Sequence, residues 1–134
     1  MDKYSEILMS FGTKETLNPK IWNDVDTDTP VLKNGIRVAL LQIAGEFMDF
    51  LGEDLFVDDI RFTGSLANFN WSEFSDIDLH MYVDFSQFDP KDRDVYKELF
   101  QLKKTLFNTT HNITVKGYEV ELYAEDINEV HFST

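Results

Sequence analysis

From Asp76 to Asp84 the sequence alternates without interruption, and no other stretch constrains the fold as strongly. Asp76, Asp78, His80, Tyr82 and Asp84 share one parity; Ile77, Leu79, Met81 and Val83 share the other. A period of two belongs to an extended strand, apolar side against a core and polar side open. Carboxylates at i and i+2 on one strand face stand roughly 6–7 Å apart along the backbone, so their side chains can converge on a hard cation that takes oxygen ligands. Upstream, Ile60 and Phe62 lead into Gly64-Ser65, a turn whose backbone N–H groups suit phosphate oxygens.

The flanking patterns supply packing partners for that strand. Tyr4, Ile7, Leu8 and Phe11 predict a short helix over Lys3–Phe11, ended by Gly12. Thr13 to Asp28 has no sustained period and reads as an extended segment laid over the core, with Trp22 as its anchor. Thr29 as N-cap and Pro30 at the first helical position open a helix whose stripe is Leu32, Ile36, Leu40, Ile43, Phe47 and Phe50, with Gly52 as its stop. Leu55–Thr63 is the first strand, and a helical turn follows Ser65. Trp71 and Phe74 then sit in a loop, either packed beneath it or stacked on a nucleobase. Asp89-Pro90, with Asp92 in the first turn, opens a second helix; Val95, Leu99, Leu102 and Leu106 form its expected buried line, widened by Tyr96, Phe100 and Phe107. Lys97, Lys103 and Lys104 lie off that stripe, as a solvated face or as a reach toward a triphosphate. Asn112–Val115, Lys116-Gly117 and Tyr118–Glu125 read as a hairpin, with Glu119, Glu121, Tyr123 and Glu125 on one parity. This order predicts an α+β domain, a mixed sheet with helices packed on one face. One domain is expected over 1–134, with 1–28 as an N-terminal packing segment and 29–134 as the core.

Composition narrows the function. The 134 residues are 43% hydrophobic and include 12 phenylalanines, enough for a bulky core, and there is no cysteine for a disulfide or thiolate metal site. A net charge of −13 repels nucleic acid, so duplex binding is not expected and a phosphate ligand arrives as a metal complex or meets a local basic spot. No apolar run reaches the roughly 18 residues a membrane span needs. The expectation is a soluble cytoplasmic protein with no membrane partner.

Gly64-Ser65, a spacer of about ten residues, then Asp76-Ile77-Asp78-Leu79, with a later acidic strand, resembles the signature of the DNA polymerase β-type nucleotidyltransferase superfamily. The longer text LNPKIW, GSLANFNWSEFSDIDLH and GYEVELYAED also resembles small nucleotidyltransferase-like proteins of tailed phages, which would place the chain in a host cytoplasm. The resemblance implies a nucleotidyltransferase fold and a metal-dependent enzyme moving a nucleoside monophosphate from an NTP to a hydroxyl of a small molecule, nucleic-acid end or protein. Asp76, Asp78 and Glu121 would be the catalytic, metal-holding carboxylates, for Mg²⁺ or Mn²⁺, and Gly64 and Ser65 the nucleotide-binding turn. Glu119 shares the face of Glu121; the deeper position of Glu121, between Val120 and Leu122, favours Glu121. The other reading is a non-catalytic or antitoxin-like protein of this fold that meets a basic protein partner through its acidic surface.

Overall fold

Four strands form the main sheet, and the alternating stretch is one of its two inner strands. The computed structural model describes residues 12–52 and 57–129. The expected helix over Lys3–Phe11 and the first two residues of the expected first strand, Leu55 and Phe56, lie outside the described residues. Strands β1 (Trp22–Asn23) and β2 (Val31–Leu32) make a small antiparallel ribbon before helix α1 (Asn34–Leu51). Strands β3 (Val57–Thr63) and β4 (Ile77–Val83) follow, then helix α2 (Arg93–His111), β5 (Thr114–Val115) and β6 (Tyr118–Asp126). Short 3₁₀ turns occupy Ser65–Ala67, Phe85–Gln87 and Ile127–Glu129.

β4 runs antiparallel to β3 and parallel to β6, so the sheet is mixed, with α2 in the crossover between the parallel pair. Ile77, Leu79, Met81 and Val83 are buried, as are Val120, Leu122 and Ala124 on β6. They form one core with Ile36, Leu40, Ile43, Phe47 and Leu51 of α1 and Phe100 and Phe107 of α2. The opposite parity of β4 and β6 is half-exposed, apart from Tyr82, which is buried, and Glu119, which is exposed. The α+β architecture and the period-two reading therefore agree with the structure. Lys116 and Gly117 both have positive φ, 54° and 84°, as the mirror-image two-residue hairpin turn requires. Gly52 ends α1 in the left-handed region and donates its N–H to the Met48 carbonyl.

Both helix starts differ from expectation. Val31 and Leu32 pair with Asn23 and Trp22, and the Lys33 N–H reaches the Ile21 carbonyl at 3.0 Å. That ribbon holds the backbone extended past Pro30, so Lys33, not Thr29, precedes the helix. Asp89 likewise caps a local turn instead of α2: its carbonyl accepts from Asp92 N–H at 2.8 Å, and the helix begins after Asp92. The buried line of α2 is also rotated. Tyr96, Leu99, Phe100 and Phe107 meet the core, while Val95, Leu102 and Leu106 are 63%, 70% and 55% exposed. The larger aromatic side chains win the inward face because they bury more apolar area.

The segment before β1 crosses the core as expected. Leu17 and Ile21 are buried, and the half-buried Trp22 donates its indole N–H to the Leu66 carbonyl at 2.9 Å. Among the described residues no helix is long and apolar enough to cross a membrane.

Candidate active site

At one end of the sheet, the turn after β3, the start of β4 and the middle of β6 come together. The parallel register sets Asp78 beside Glu121, with Ile77 beside Val120 and Leu79 beside Leu122. Thr63, the last residue of β3, is the partner of Asp78 on the other side. Asp76 stands just before β4. Carboxylates far apart in sequence thus become neighbours because both strands bury their apolar parity and so expose the acidic one.

Gly64 is fitted to Asp78. Its φ of 87° and ψ of −174° lie where essentially only glycine is at ease, and a Cβ added there would collide with Asp78 Oδ2. Ser65 begins the 3₁₀ turn, and its hydroxyl is 2.5 Å from that of Ser75. Ser75 is itself buried and accepts the Ser72 N–H at 2.9 Å. The spacer loop is thus tied back onto its own start, which fixes the separation of Gly64-Ser65 from Asp76. Sequence reasoning gave Ser75 no role; its only signal is its place immediately before Asp76.

The acidic residues strain against one another. Burial lifts the Asp76 carboxyl above the ordinary aspartate range, and the charges of Glu121 and Glu119 lift it further. Asp78 is raised by burial, then by Glu121 and Asp76, with His80 pulling the other way. Glu121 accepts a hydrogen bond from Tyr123 Oη at 2.6 Å, and that bond is the main reason the tyrosine hydroxyl is pushed up. The Tyr123 ring stacks on His80 with centroids 4.6 Å apart, and His80 Nδ1 lies 2.8 Å from Glu125 Oε1. Neither partnership shows in the sequence, since both depend on register across β4 and β6.

Among the described residues no group of three or more Asp, Glu, His or Cys side chains is arranged to hold a metal ion. Asp78 and Glu121 are in register on adjacent strands and Asp76 stands just before β4; all three offer only oxygen, the donor that Mg²⁺ or Mn²⁺ takes. Glu119 is exposed and lies opposite Thr114 of β5, nearer Asp76 than Asp78 in register. Trp71 is half-buried and donates its indole N–H to the Thr16 carbonyl at 2.8 Å, so it belongs to the loop's underside. Phe74 is 42% exposed and Phe69 48%, so the loop presents two phenylalanines outward.

No protein-family model, curated protein or solved structure matches this chain. The nucleotidyltransferase reading rests on its own residues.

Proposed function

We propose that the chain is a metal-dependent nucleotidyltransferase, moving a nucleoside monophosphate from an NTP to a hydroxyl acceptor. The observation that carries this reading is the juxtaposition of Gly64, Asp78 and Glu121: a glycine-only turn packed on the carboxylate that sits in register with the later acidic strand. Asp76, Asp78 and Glu121 would hold Mg²⁺, with Mn²⁺ as a substitute. When bound, the metal supplies charge neutralisation at the attacking and leaving oxygens of an in-line displacement. Gly64 leaves the backbone open to approach by phosphate, and Ser65 Oγ, held by Ser75, offers a fixed hydrogen bond to a phosphate oxygen. The acceptor oxygen bonds to the α-phosphorus, the bond to the bridging oxygen breaks, pyrophosphate leaves and the acceptor proton passes to water. The raised Asp76 and Asp78 carboxyls fit this arrangement: burial lifts them first, and carboxylates set to share a cation then repel each other without one.

A second reading draws on a different observation. Phe69 and Phe74 are exposed on the loop that leads to Asp76, on a chain of net charge −13, a surface that suits a basic protein partner. In that reading the carboxylates bind without catalysing transfer, as in a non-catalytic or antitoxin-like protein.

Incubation with each α-labelled NTP and Mg²⁺, using host-type extract as the acceptor source, separates the two. The transferase reading expects label in an acceptor or free pyrophosphate, abolished by EDTA and restored by Mg²⁺ or Mn²⁺. Absence of both products with all four NTPs would leave the binding-protein reading.

A further inference from the structure

The chain is strongly acidic, yet an NTP brings negative charge of its own, and Leu66-Ala67-Asn68 after the turn holds no basic residue. Arg61 of β3 stands on the polar face beside His80, but its guanidinium is ion-paired with Asp59, so a further cation has to come from outside the sheet. α2 carries three lysines, Lys97 in its first third and Lys103 and Lys104 just past its middle, and the structure separates them. Lys97 is ion-paired with Glu129. Lys103 donates to the Leu51 carbonyl at 2.6 Å, closing the end of α1. Lys104 does neither: its Nζ lies over the ring of Tyr123, 5.0 Å from the centroid.

Two independent features hold Lys104 there. One turn further along α2, Asn108 exchanges both hydrogen bonds with the backbone of Leu122, Nδ2 to the carbonyl at 3.0 Å and N–H to Oδ1 at 2.9 Å. That pair takes the place of a neighbouring strand and anchors α2 along the β6 edge. The Tyr123 ring is in turn fixed by its stack on His80 and by its hydroxyl on Glu121. Lys104 is thus a half-buried ammonium one side chain removed from the third carboxylate.

Strands β3, β4 and β6 are neighbours in that order. The Gly64-Ser65 turn, at the end of β3, and the Tyr123 ring on β6 that Lys104 covers therefore lie on opposite sides of Asp78, two strand spacings or roughly 10 Å apart across the sheet and further apart along it, since Tyr123 is level with His80 and Arg61. Such a separation exceeds a single phosphate and calls for a longer anion. We propose that Lys104 is a nucleotide-binding residue, contacting the β- or γ-phosphate of an NTP whose other end meets Gly64-Ser65. This rests on the transferase reading and names a cation that reading otherwise lacks.

Calorimetry on the full chain tests it, with ATP and Mg²⁺ in one arm and Mn²⁺ alone, followed by electron paramagnetic resonance, in the other. Lys104→Gln is expected to weaken ATP binding roughly tenfold, the loss of one charge-assisted contact, while Mn²⁺ binding stays as in the parent. Lys104→Arg should restore most of the affinity, and Lys97→Gln should leave it unchanged. If Lys104→Gln binds ATP as the parent does, while Asp78→Asn does not bind it, the lysine assignment is overturned and the transferase reading stands. Equal losses of ATP and Mn²⁺ binding would show a merely structural lysine and also overturn the assignment. A parent protein that takes up no ATP with Mg²⁺ sinks both.

Discussion

The two ends of β4 each carry a cluster of acids, and they are built in opposite ways. At the end Asp84 accepts from the Ser86 N–H at 2.9 Å and from Asn128 Nδ2 at 2.8 Å. Asp126, across the parallel register from Val83, accepts from the N–H groups of Phe85 and Asn128. A Ser86 side-chain hydrogen bond, then those of Asn128 and the Ser86 backbone, holds the Asp84 carboxyl below its ordinary value. At the start, Asp76 and Asp78 are raised by burial and by each other's neighbours. The first cluster uses its charges to tie a turn, and the second keeps them crowded. Among 25 acidic residues, a count of carboxylates cannot identify a site, but the supply of donors can.

The comparison breaks most sharply in activity. Asp78→Asn is expected to lower Mg²⁺-dependent transfer at least about a hundredfold, because it removes a ligand oxygen's charge from the centre of the donor set. Asp84→Asn should leave turnover unchanged and lower the melting temperature. Within the crowded cluster, Glu121→Gln should cost far more activity than Glu119→Gln, since Glu121 is in register with Asp78 and Glu119 faces the β5 edge. Parallel assays of the four variants, each checked by circular dichroism, decide this. Equal losses for Asp78→Asn and Asp84→Asn would erase the distinction between the two ends.

Stability sharpens it next. Gly64→Ala places a methyl group against Asp78 Oδ2 in a backbone conformation that alanine avoids, so it should destabilise by about 2–3 kcal/mol in urea titration. Gly117→Ala has a similar φ of 84° but open space around it, and about 1 kcal/mol is expected. A smaller cost at Gly64 than at Gly117 would mean that the turn does not bear on Asp78.

Much of this was legible in the residues, and the failures share a cause. The alternation from Asp76 to Asp84 fixed a half-buried strand because period two has one interpretation there, and the hairpin followed from Lys116-Gly117 between two alternating runs. The resemblance implied a third carboxylate on the later strand, and the deeper position of Glu121 between Val120 and Leu122 favoured it over Glu119; the register sets Glu121 beside Asp78. What misled were signals that local physics offers to more than one structure. Thr29-Pro30 and Asp89-Pro90 both look like helix starts, yet Val31-Leu32 found a strand partner in Trp22-Asn23 and Asp89 capped a turn of its own. On α2 two overlapping apolar stripes competed, and spacing could not rank Leu102 below Phe100. Ser65 with Ser75 and Asn108 with Leu122 leave no spacing to read, and Tyr123 with Glu121 showed only as a shared parity, which does not say that the two side chains bond.

The smallest expected effect is the dependence of stability on pH, and its sign differs between the two ends. Asp76 and Asp78 have folded values raised above those of the unfolded chain, so the metal-free folded state binds their protons more readily. The cost of burying and crowding these charges stands in full at pH 8 and is relieved as pH falls through the raised values, so stability from this end rises down to the unfolded value of about 4. Asp84 has a lowered value, so its contribution is complete above the unfolded value and is lost only as pH falls below about 4. Melting curves of the metal-free protein should therefore climb as pH falls from 8 toward about 4, then turn over in more acidic buffer. The variants assign the two limbs: Asp78→Asn should flatten the climb and spare the acid-side fall, and Asp84→Asn should do the reverse. Millimolar Mg²⁺ at pH 8 should recover part of the climb by binding only the folded state, because a bound cation relieves the same repulsion that protons do. A profile for Asp78→Asn identical to the parent's from pH 8 down to about 4 would mean that these carboxylates are neither buried nor crowded in solution, and the contrast between the ends of β4 would fail.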